Sequence, residues 1–178
     1  MADFLIFGRP RSRTAWMANF LSHGSYSTCF HEGLADSAGS FMHLKRRMRD
    51  CTITGFVGNA DTGMIHNVEE ALSTFPDARI LMMVDNEFSW RTHCTKFEIP
   101  APVIEHIDDD YARAKETLRE RALFISATRV TQSHVVANRA WRHVLQHSMK
   151  FPLTRYNILK DLNVQVVPEA LKARIGIT

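Results

Sequence analysis

The chain has 178 residues, of which 45% are hydrophobic and 23% charged, and its formal net charge is +3. This composition is that of an ordinary globular protein and excludes disordered, collagen-like and low-complexity chains. No apolar run approaches the ~20 residues that cross a bilayer, and the first residues lack the basic flank and cleavage site of a signal peptide. The three cysteines are too widely spaced for a disulfide framework or a paired zinc motif. We therefore expect one domain over residues 1–178 in a reducing, cytoplasmic setting.

The first half of the chain alternates short apolar runs with helical patterns. We expect strands over 4–7, 25–30, 52–57 and 79–84, and helices over 14–23, 35–50 and 64–75. Asn86 is suited to cap a further short helix. Such alternation predicts an α/β fold with a central parallel sheet of about four or five strands.

The second half has a mainly helical pattern. Apolar residues recur at helical spacing at Tyr111, Ala114, Leu118, Ala122 and Ile125. The acids at 108–110 are expected at the start of this helix, where they complement its dipole. A further helix is expected over 133–148, a strand over 163–167 and a last helix opened by Pro168. Residues 100–150 are thus expected to form a helical cap or flank.

The first predicted strand leads into a basic loop, and residues 8–16 read Gly-Arg-Pro-Arg-Ser-Arg-Thr-Ala-Trp. Because a helix follows, the loop lies at the positive end of a helix dipole, where backbone N–H groups bind anions. Arg9, Arg11 and Arg13 can contact phosphate or sulfate oxygens in bidentate fashion. Ser12 and Thr14 can donate to an anion or cap the helix, so a basic surface loop with an ordinary cap is the alternative. The loop is neither a Walker A motif nor G-x-G-x-x-G, which disfavours an ATPase or a dinucleotide oxidoreductase.

Residues 4–16 resemble the 5′-phosphosulfate-binding loop of the sulfotransferases, in particular of their short bacterial and phage-type members. That loop contains Pro, a basic residue, Ser, Gly, two hydroxyl residues and a large apolar residue. The matching residues here are Pro10, Arg11, Ser12, Thr14 and Trp16. Arg13 stands in the place of the Gly and Ala15 in that of the second hydroxyl residue.

The resemblance implies a P-loop-like three-layer α/β fold and a nucleotide donor, 3′-phosphoadenylyl sulfate (PAPS). Residues 9–16 would bind this donor, with Arg11 on the sulfuryl group that is transferred. Adenosine 3′,5′-bisphosphate (PAP) would be the product, and no metal would be needed. For the 3′-phosphate, the family has Arg and Ser at the positions of Val84 and Thr92, and Arg91 is placed to substitute in part.

Sulfuryl transfer to a hydroxyl also needs a base near the acceptor oxygen. The resemblance implies a Glu or His close to the end of the second strand, and we expect Glu32 in this role, with His31 as the second candidate. The alternative is that Glu32 pairs with an arginine of the first loop or caps a helix. Cys29 is a possible thiol nucleophile but fits a buried strand position better.

Two later segments carry further candidate residues. Asn59 and Asp61 lie in a glycine-rich stretch over 55–63 and can bind acceptor hydroxyls, or else form a plain turn with a helix cap. The run over 105–110 lacks the alternating acids and central glycine of a calcium loop, so we predict no metal site there.

The sequence therefore supports a sulfotransferase-like enzyme that acts on a small-molecule or glycan hydroxyl. The alternative is a non-catalytic protein that binds a nucleotide or phosphate on the same loop. Basic residues concentrate in the first and last thirds of the chain and acidic residues in the middle third. No basic recognition helix with interleaved aromatics is visible, which argues against a nucleic-acid partner.

Overall fold

The computed structural model describes residues 3–23, 26–51, 55–84, 87–146 and 151–160, which form five strands and eight α-helices. The strands are β1 (Asp3–Phe7), β2 (Ser27–His31), β3 (Phe56–Asp61), β4 (Arg79–Val84) and β5 (Ala122–Ser126). The helices are α1 (Thr14–Leu21), α2 (Phe41–Arg49), α3 (Val68–Thr74), α4 (Glu87–Lys96), α5 (Ala101–Thr117), α6 (Arg129–Gln132), α7 (His134–Leu145) and α8 (Leu153–Leu159). Two 3₁₀ helices, Ala35–Ser37 and Gly63–Asn67, precede α2 and α3.

The five strands form one parallel sheet in the order β2-β3-β1-β4-β5. The chain leaves β1 towards β2 on one side of the sheet and leaves β4 towards β5 on the other. The carboxyl ends of the neighbouring strands β1 and β4 therefore form a topological switch point. In open α/β sheets, ligands bind in the crevice outside such a point.

Helices cover both faces of the sheet, so the fold has the three layers expected from the sequence. Phe4 and Ile6 of β1 point into a core that α1, α6, α7 and α8 close. Leu5 and Phe7 point into a second core that is closed by α2, α3 and α5. All four of these β1 side chains are fully buried. A central strand that is buried on both faces explains why this segment reads as a continuous apolar run.

The third strand lies later in the chain than the predicted 52–57, and residues 52–54 lie outside the described part. The glycine-rich stretch that we interpreted as a loop after the strand forms most of the strand itself. Gly58 explains the difference, because a Cβ atom at this position would lie 2.1 Å from Cε2 of Phe4. Packing against β1 thus requires a glycine, which strand propensity alone disfavours.

The prediction of one helix from the acids at 108–110 to Ile125 is wrong at both ends. Helix α5 begins at Ala101, so the acids at 108–110 lie inside it and not at its start. Pro102 fits the first turn because backbone N–H groups there have no intrahelical partner. Ala122 and Ile125 belong to β5, whose pairing with β4 overrides a helical spacing that arose by coincidence. Residues 100–150 therefore add a strand to the sheet as well as helices.

Other predicted elements are close to the observed ones. Helix α1 begins at Thr14 as predicted, and α7 lies within the predicted 133–148. Helix α2 is shorter than the predicted 35–50, because its first turn begins only after Ser40, whose side chain accepts from the backbone N–H of His43 (3.3 Å). The features predicted at Asn86 and over 163–168 lie outside the described residues. None of the described helices combines the length and apolar character needed to cross a membrane.

The central position of β4 can be tested with two leucines. Leu81 on β4 is fully buried, whereas Leu153 on α8 is 55% exposed. We expect Leu81→Ala to lower the free energy of unfolding by about 2–5 kcal/mol, because it leaves a cavity in the core. Leu153→Ala, the control, should lower it by less than about 1 kcal/mol. Urea denaturation measures both changes, and equal losses would contradict the placement of Leu81.

Candidate functional site

The loop after β1 opens α1 at the switch point between β1 and β4. Its backbone enters the left-handed region at Arg11 (φ 72°) and at Arg13 (φ 62°). Arg13 is the N-cap of α1 and makes no side-chain cap, so the N–H groups of the first turn keep their capacity to bind a ligand. Backbones of this kind form concave anion sites, and the helix dipole adds to their positive potential.

Ser12 lies between the two left-handed residues and is fully buried. Its backbone N–H donates to the carbonyl oxygen of Arg9 (3.1 Å), but its Oγ has no hydrogen-bond partner among the described residues. Buried polar atoms almost always have a partner, so this hydroxyl is a candidate hydrogen-bond donor to a bound anion. Gly8 makes room for it, because a Cβ atom at position 8 would lie 2.1 Å from the Ser12 Oγ.

Arg9 has a different role from the other arginines of the loop. Only 3% of it is exposed, and its guanidinium donates to Asp108 Oδ1 (2.6 Å) and to Glu87 Oε2 (2.9 Å). The same group lies over the rings of Trp90 and Tyr111, at 5.3 and 4.8 Å from their centroids. The hydrogen bond from Arg9 lowers the pKa of Glu87. Arg9 therefore ties the loop to α4 and α5.

Arg11 and Arg13 form no ion pair with a carboxylate in the described part of the chain. Arg11 is exposed and Arg13 is half-buried. Burial and the nearby charge of Arg11 together lower the pKa of His93, which places Arg11 close to α4. These two arginines are thus the cations that the loop can offer to an anion.

The remaining residues of the loop lie at the start of α1. Thr14 is buried, and Pro10 and Ala15 are half-buried. Trp16 is part of the core, where it stacks on Phe20 and its indole N–H donates to the carbonyl oxygen of Leu159 (2.8 Å). The side chain of Trp16 thus holds α1 against α8.

The residues expected near a 3′-phosphate lie on or beside α4. Val84 ends β4, and Arg91 and Thr92 are exposed on the helix. Arg91 is held by two carboxylates, at 2.9 Å from Glu87 Oε1 and at 2.7 Å from Asp108 Oδ2. The guanidinium of Arg91 would have to exchange these partners for a phosphate.

Glu32 directly follows β2 and lies at the same edge of the sheet as the loop. In the sheet, His31 pairs with Ala60 and Asp61 pairs with Phe7, so β1, β2 and β3 end side by side. Two strand spacings of about 4.8 Å separate β2 from β1, which puts Glu32 on the order of 10 Å from the loop. Glu32 also has a left-handed backbone (φ 53°).

The surroundings of Glu32 favour its protonated form. Its Oε1 accepts from the backbone N–H and the hydroxyl of Thr62 (3.4 and 3.2 Å) and lies 3.4 Å from His31 Nε2. Burial, together with the negative charge of Asp61, raises the pKa of Glu32 to about 7. Burial lowers the pKa of His31, so the imidazole is neutral at pH 7. A carboxyl group that titrates near neutral pH is well suited to proton transfer.

Asn59 and Asp61 support the loop that carries Glu32. Both are buried in β3, and Asp61 also fits the alternative of a turn with a cap, because its Oδ1 accepts from the N–H of Gly63 (2.7 Å) where the next 3₁₀ helix begins. Asn59 Oδ1 accepts from the N–H of Gly33 (3.0 Å), and Asp61 Oδ2 accepts from the N–H of Leu34 (2.8 Å). The geometry thus assigns these two side chains to holding the loop, and their contact with an acceptor stays a prediction.

Cys29 fits the structural interpretation that the sequence favoured. It lies in β2 and is buried. Burial raises the pKa of its thiol, so it carries almost no thiolate at neutral pH.

Sequence reasoning missed several residues that shape the site. Thr62 binds Glu32, Glu87 and Asp108 neutralise Arg9, and His93 lies near Arg11. Of these, only Asp108 had a sequence signal, in the acidic run that we interpreted as the start of a helix. The contacts join segments far apart in the chain, so no local pattern records them.

Neither a protein-family model nor a curated protein matches this chain.

The raised pKa of Glu32 predicts a pH dependence of stability. The pKa of Glu32 rises from about 4.5 in the unfolded chain to about 7 in the folded protein, so between these pH values the folded state binds more protons. This residue therefore makes the free energy of unfolding fall as the pH rises through that range. We expect Glu32→Gln to become progressively more stable relative to the wild type from pH 5 to pH 8. Urea denaturation at several pH values measures this difference. A difference that is constant above pH 6 would mean that Glu32 has an ordinary pKa.

Proposed function

We propose that this protein is a sulfotransferase-like enzyme that transfers the sulfuryl group of PAPS to a hydroxyl acceptor. The observation that carries the proposal is the buried hydroxyl of Ser12, which lies in a left-handed loop at the start of α1 and has no hydrogen-bond partner in the described part of the chain. The motif resembles a phosphosulfate-binding loop, and the switch point of the sheet is where an α/β fold binds such a ligand.

The donor binds through its 5′-phosphosulfate in this proposal. Free N–H groups of the first turn of α1 and the Ser12 hydroxyl donate to its oxygens. Arg11 and Arg13 neutralise its charge and stabilise the charge that develops on the sulfuryl and bridging oxygens during transfer. Arg9 acts indirectly, because its contacts with Glu87 and Asp108 hold the loop in place.

Glu32 serves as the base. The acceptor oxygen attacks the sulfur atom, its proton goes to the Glu32 carboxylate, and the bond from sulfur to the bridging phosphate oxygen breaks to release PAP. With a pKa of about 7, Glu32 binds a proton more strongly than an ordinary carboxylate does. Asn59 and Asp61 hold the loop that carries Glu32, through hydrogen bonds from the N–H groups of Gly33 and Leu34.

One observation favours the alternative, a non-catalytic protein that binds a nucleotide or phosphate on this loop. Arg91, the residue that we expected to substitute in part at the 3′-phosphate, is engaged by Glu87 and Asp108. A site without a free cation there binds a 5′-phosphate better than it recognises the 3′-phosphate of PAPS.

The role of Ser12 can be tested by calorimetric titration of PAP. A hydrogen bond to a charged group contributes about 1.5–3 kcal/mol, so Ser12→Ala should weaken PAP binding by about tenfold or more. The same substitution should leave the free energy of unfolding unchanged or raise it, because it removes a buried hydroxyl without a partner. Ser73→Ala on the exposed face of α3 is the matched control. Unchanged affinity in Ser12→Ala would contradict the site, and equal affinity for PAP and inorganic phosphate would support the alternative.

Transfer of labelled sulfate from PAPS to a panel of phenol, alcohol and glycan acceptors tests the catalytic role. We expect Arg11→Ala to abolish transfer in a folded protein, and Glu32→Gln to slow it by about 10²–10⁴-fold while PAP still binds. The wild-type rate should rise as pH passes through about 7, where Glu32 loses its proton. Arg119→Ala is the control. This exposed arginine comes just before β5, at the amino-terminal edge of the sheet, whereas the loop lies at the carboxyl-terminal edge. Full activity of Arg11→Ala would reject the assignment, and PAP binding without transfer to any acceptor would leave the non-catalytic alternative.

A further inference from the structure

Three side chains with metal-ligating atoms meet on the sheet face that α5 covers. His66 belongs to the 3₁₀ helix after β3, and His106 and Asp110 are four residues apart on α5. One ligand atom of each residue lies within 4.8 Å of the other two. His66 Nδ1 contacts Asp110 Oδ2, and His106 Nε2 lies 3.4 Å from the same oxygen. The two imidazole rings stack with 5.4 Å between their centroids and 8° between their planes.

The carboxylate of Asp110 is held in a fixed orientation. Arg113 donates to its Oδ1 (2.7 Å) and also to the backbone carbonyl oxygen of His66 (3.1 Å). The other carboxylate oxygen, Oδ2, therefore faces the two imidazoles. Outer contacts of this kind orient the ligands of metal sites and are part of their affinity.

The cluster combines a buried anchor with an open side. The Asp110 side chain is 4% exposed, whereas those of His66 and His106 are 35% and 69% exposed. An ion can therefore reach the imidazole nitrogens directly from solvent. The buried carboxylate supplies a negative charge where water screens it least.

We propose that His66, His106 and Asp110 form a binding site for a divalent transition-metal ion, with zinc as the best match. This revises our sequence-based prediction of no metal site over residues 105–110, because the third ligand, His66, lies far earlier in the chain and meets His106 and Asp110 only in the folded structure. Two imidazole nitrogens and one carboxylate oxygen suit zinc, and three protein ligands leave a fourth position for water. Calcium and magnesium prefer oxygen ligands and fit this set poorly. The nitrogen and oxygen atoms that now contact each other would share the ion, at bond lengths of about 2.0–2.2 Å.

The site links two parts of the fold and does not depend on the proposed sulfuryl transfer. A bound ion would fasten the 3₁₀ helix after β3 to α5. That 3₁₀ helix begins two residues after Asp61, whose Oδ1 accepts from the N–H of Gly63 (2.7 Å). Metal binding would thus stabilise the segment that supports Glu32, and the ion would not itself take part in the proposed sulfuryl transfer.

The test uses the full chain without an affinity tag, stripped of metal with a chelator and titrated with Co²⁺ and Zn²⁺. Co²⁺ gives a visible spectrum that reports ligand type and geometry, and Zn²⁺ binding is followed by calorimetry and by competition with Co²⁺. We expect one ion per chain, a spectrum without thiolate-to-metal charge transfer, and a higher melting temperature with Zn²⁺. His106→Ala and Asp110→Asn should each weaken binding by at least about tenfold. His43→Ala, at an exposed histidine on α2, should bind as the wild type does.

Because His106 is largely exposed, His106→Ala should fold normally, and circular dichroism checks this. Absence of a stoichiometric ion in the wild type would overturn the proposal. The same holds if His106→Ala binds as tightly as the wild type, or if a thiolate band shows that a cysteine is the ligand. Loss of PAP binding or transfer has no bearing on these outcomes, so this site and the proposed function fail separately.

Discussion

The placement of the loop after β1 depends on the buried charge of Arg9. A guanidinium that is only 3% exposed must be neutralised, because an unpaired charge in the interior costs several kcal/mol. Glu87 from α4 and Asp108 from α5 supply the negative charges, and the rings of Trp90 and Tyr111 cover the planar faces. Two helices that are remote in sequence from the loop are thus brought over its base.

This network explains further features of the same end of the sheet. Asp108 also accepts from the indole N–H of Trp90 (2.8 Å), and the hydroxyl of Tyr111 donates to the carbonyl oxygen of Met83 on β4 (3.2 Å). These contacts fasten α4 and α5 to the strand beside β1. Arg9 is thereby engaged within the fold, and the anion contact that we propose for the loop falls to Arg11 and Arg13.

Conformational strain concentrates at the candidate site. Of the six non-glycine residues with positive φ among those described, three are Arg11, Arg13 and Glu32. Each such residue costs about 1–2 kcal/mol, so the rest of the fold must hold it in place. Around Glu32 the hydrogen bonds of Asn59 and Asp61 to the loop do so, and the charge of Asp61 adds to the raised pKa of Glu32. The Ser12 hydroxyl, which has no hydrogen-bond partner among the residues that the structure describes, is a further cost, of the kind that a ligand relieves.

The sequence by itself determined the α/β class, the first strand, the loop and the start of α1, because these depend on local patterns. A run of four apolar residues marks a strand buried on both faces, and the loop chemistry follows from residue types at fixed spacing. The positions of β3 and β5 could not be read in this way. A glycine suits position 58 of β3 only because the ring of Phe4 packs against its backbone. The apolar residues of β5 also fit helical spacing, and only their pairing with β4 makes them a strand.

Only the tertiary structure decided which of the candidate side chains face a ligand and which serve the fold. Local sequence records residue types but not the partners that lie far along the chain. Arg9 and Arg11 are two residues apart and equally basic, yet one is enclosed by α4 and α5 and the other is exposed. For the same reason Asp110 looked like a helix-start acid, and its contact with His66 depends on α5 packing against the segment after β3.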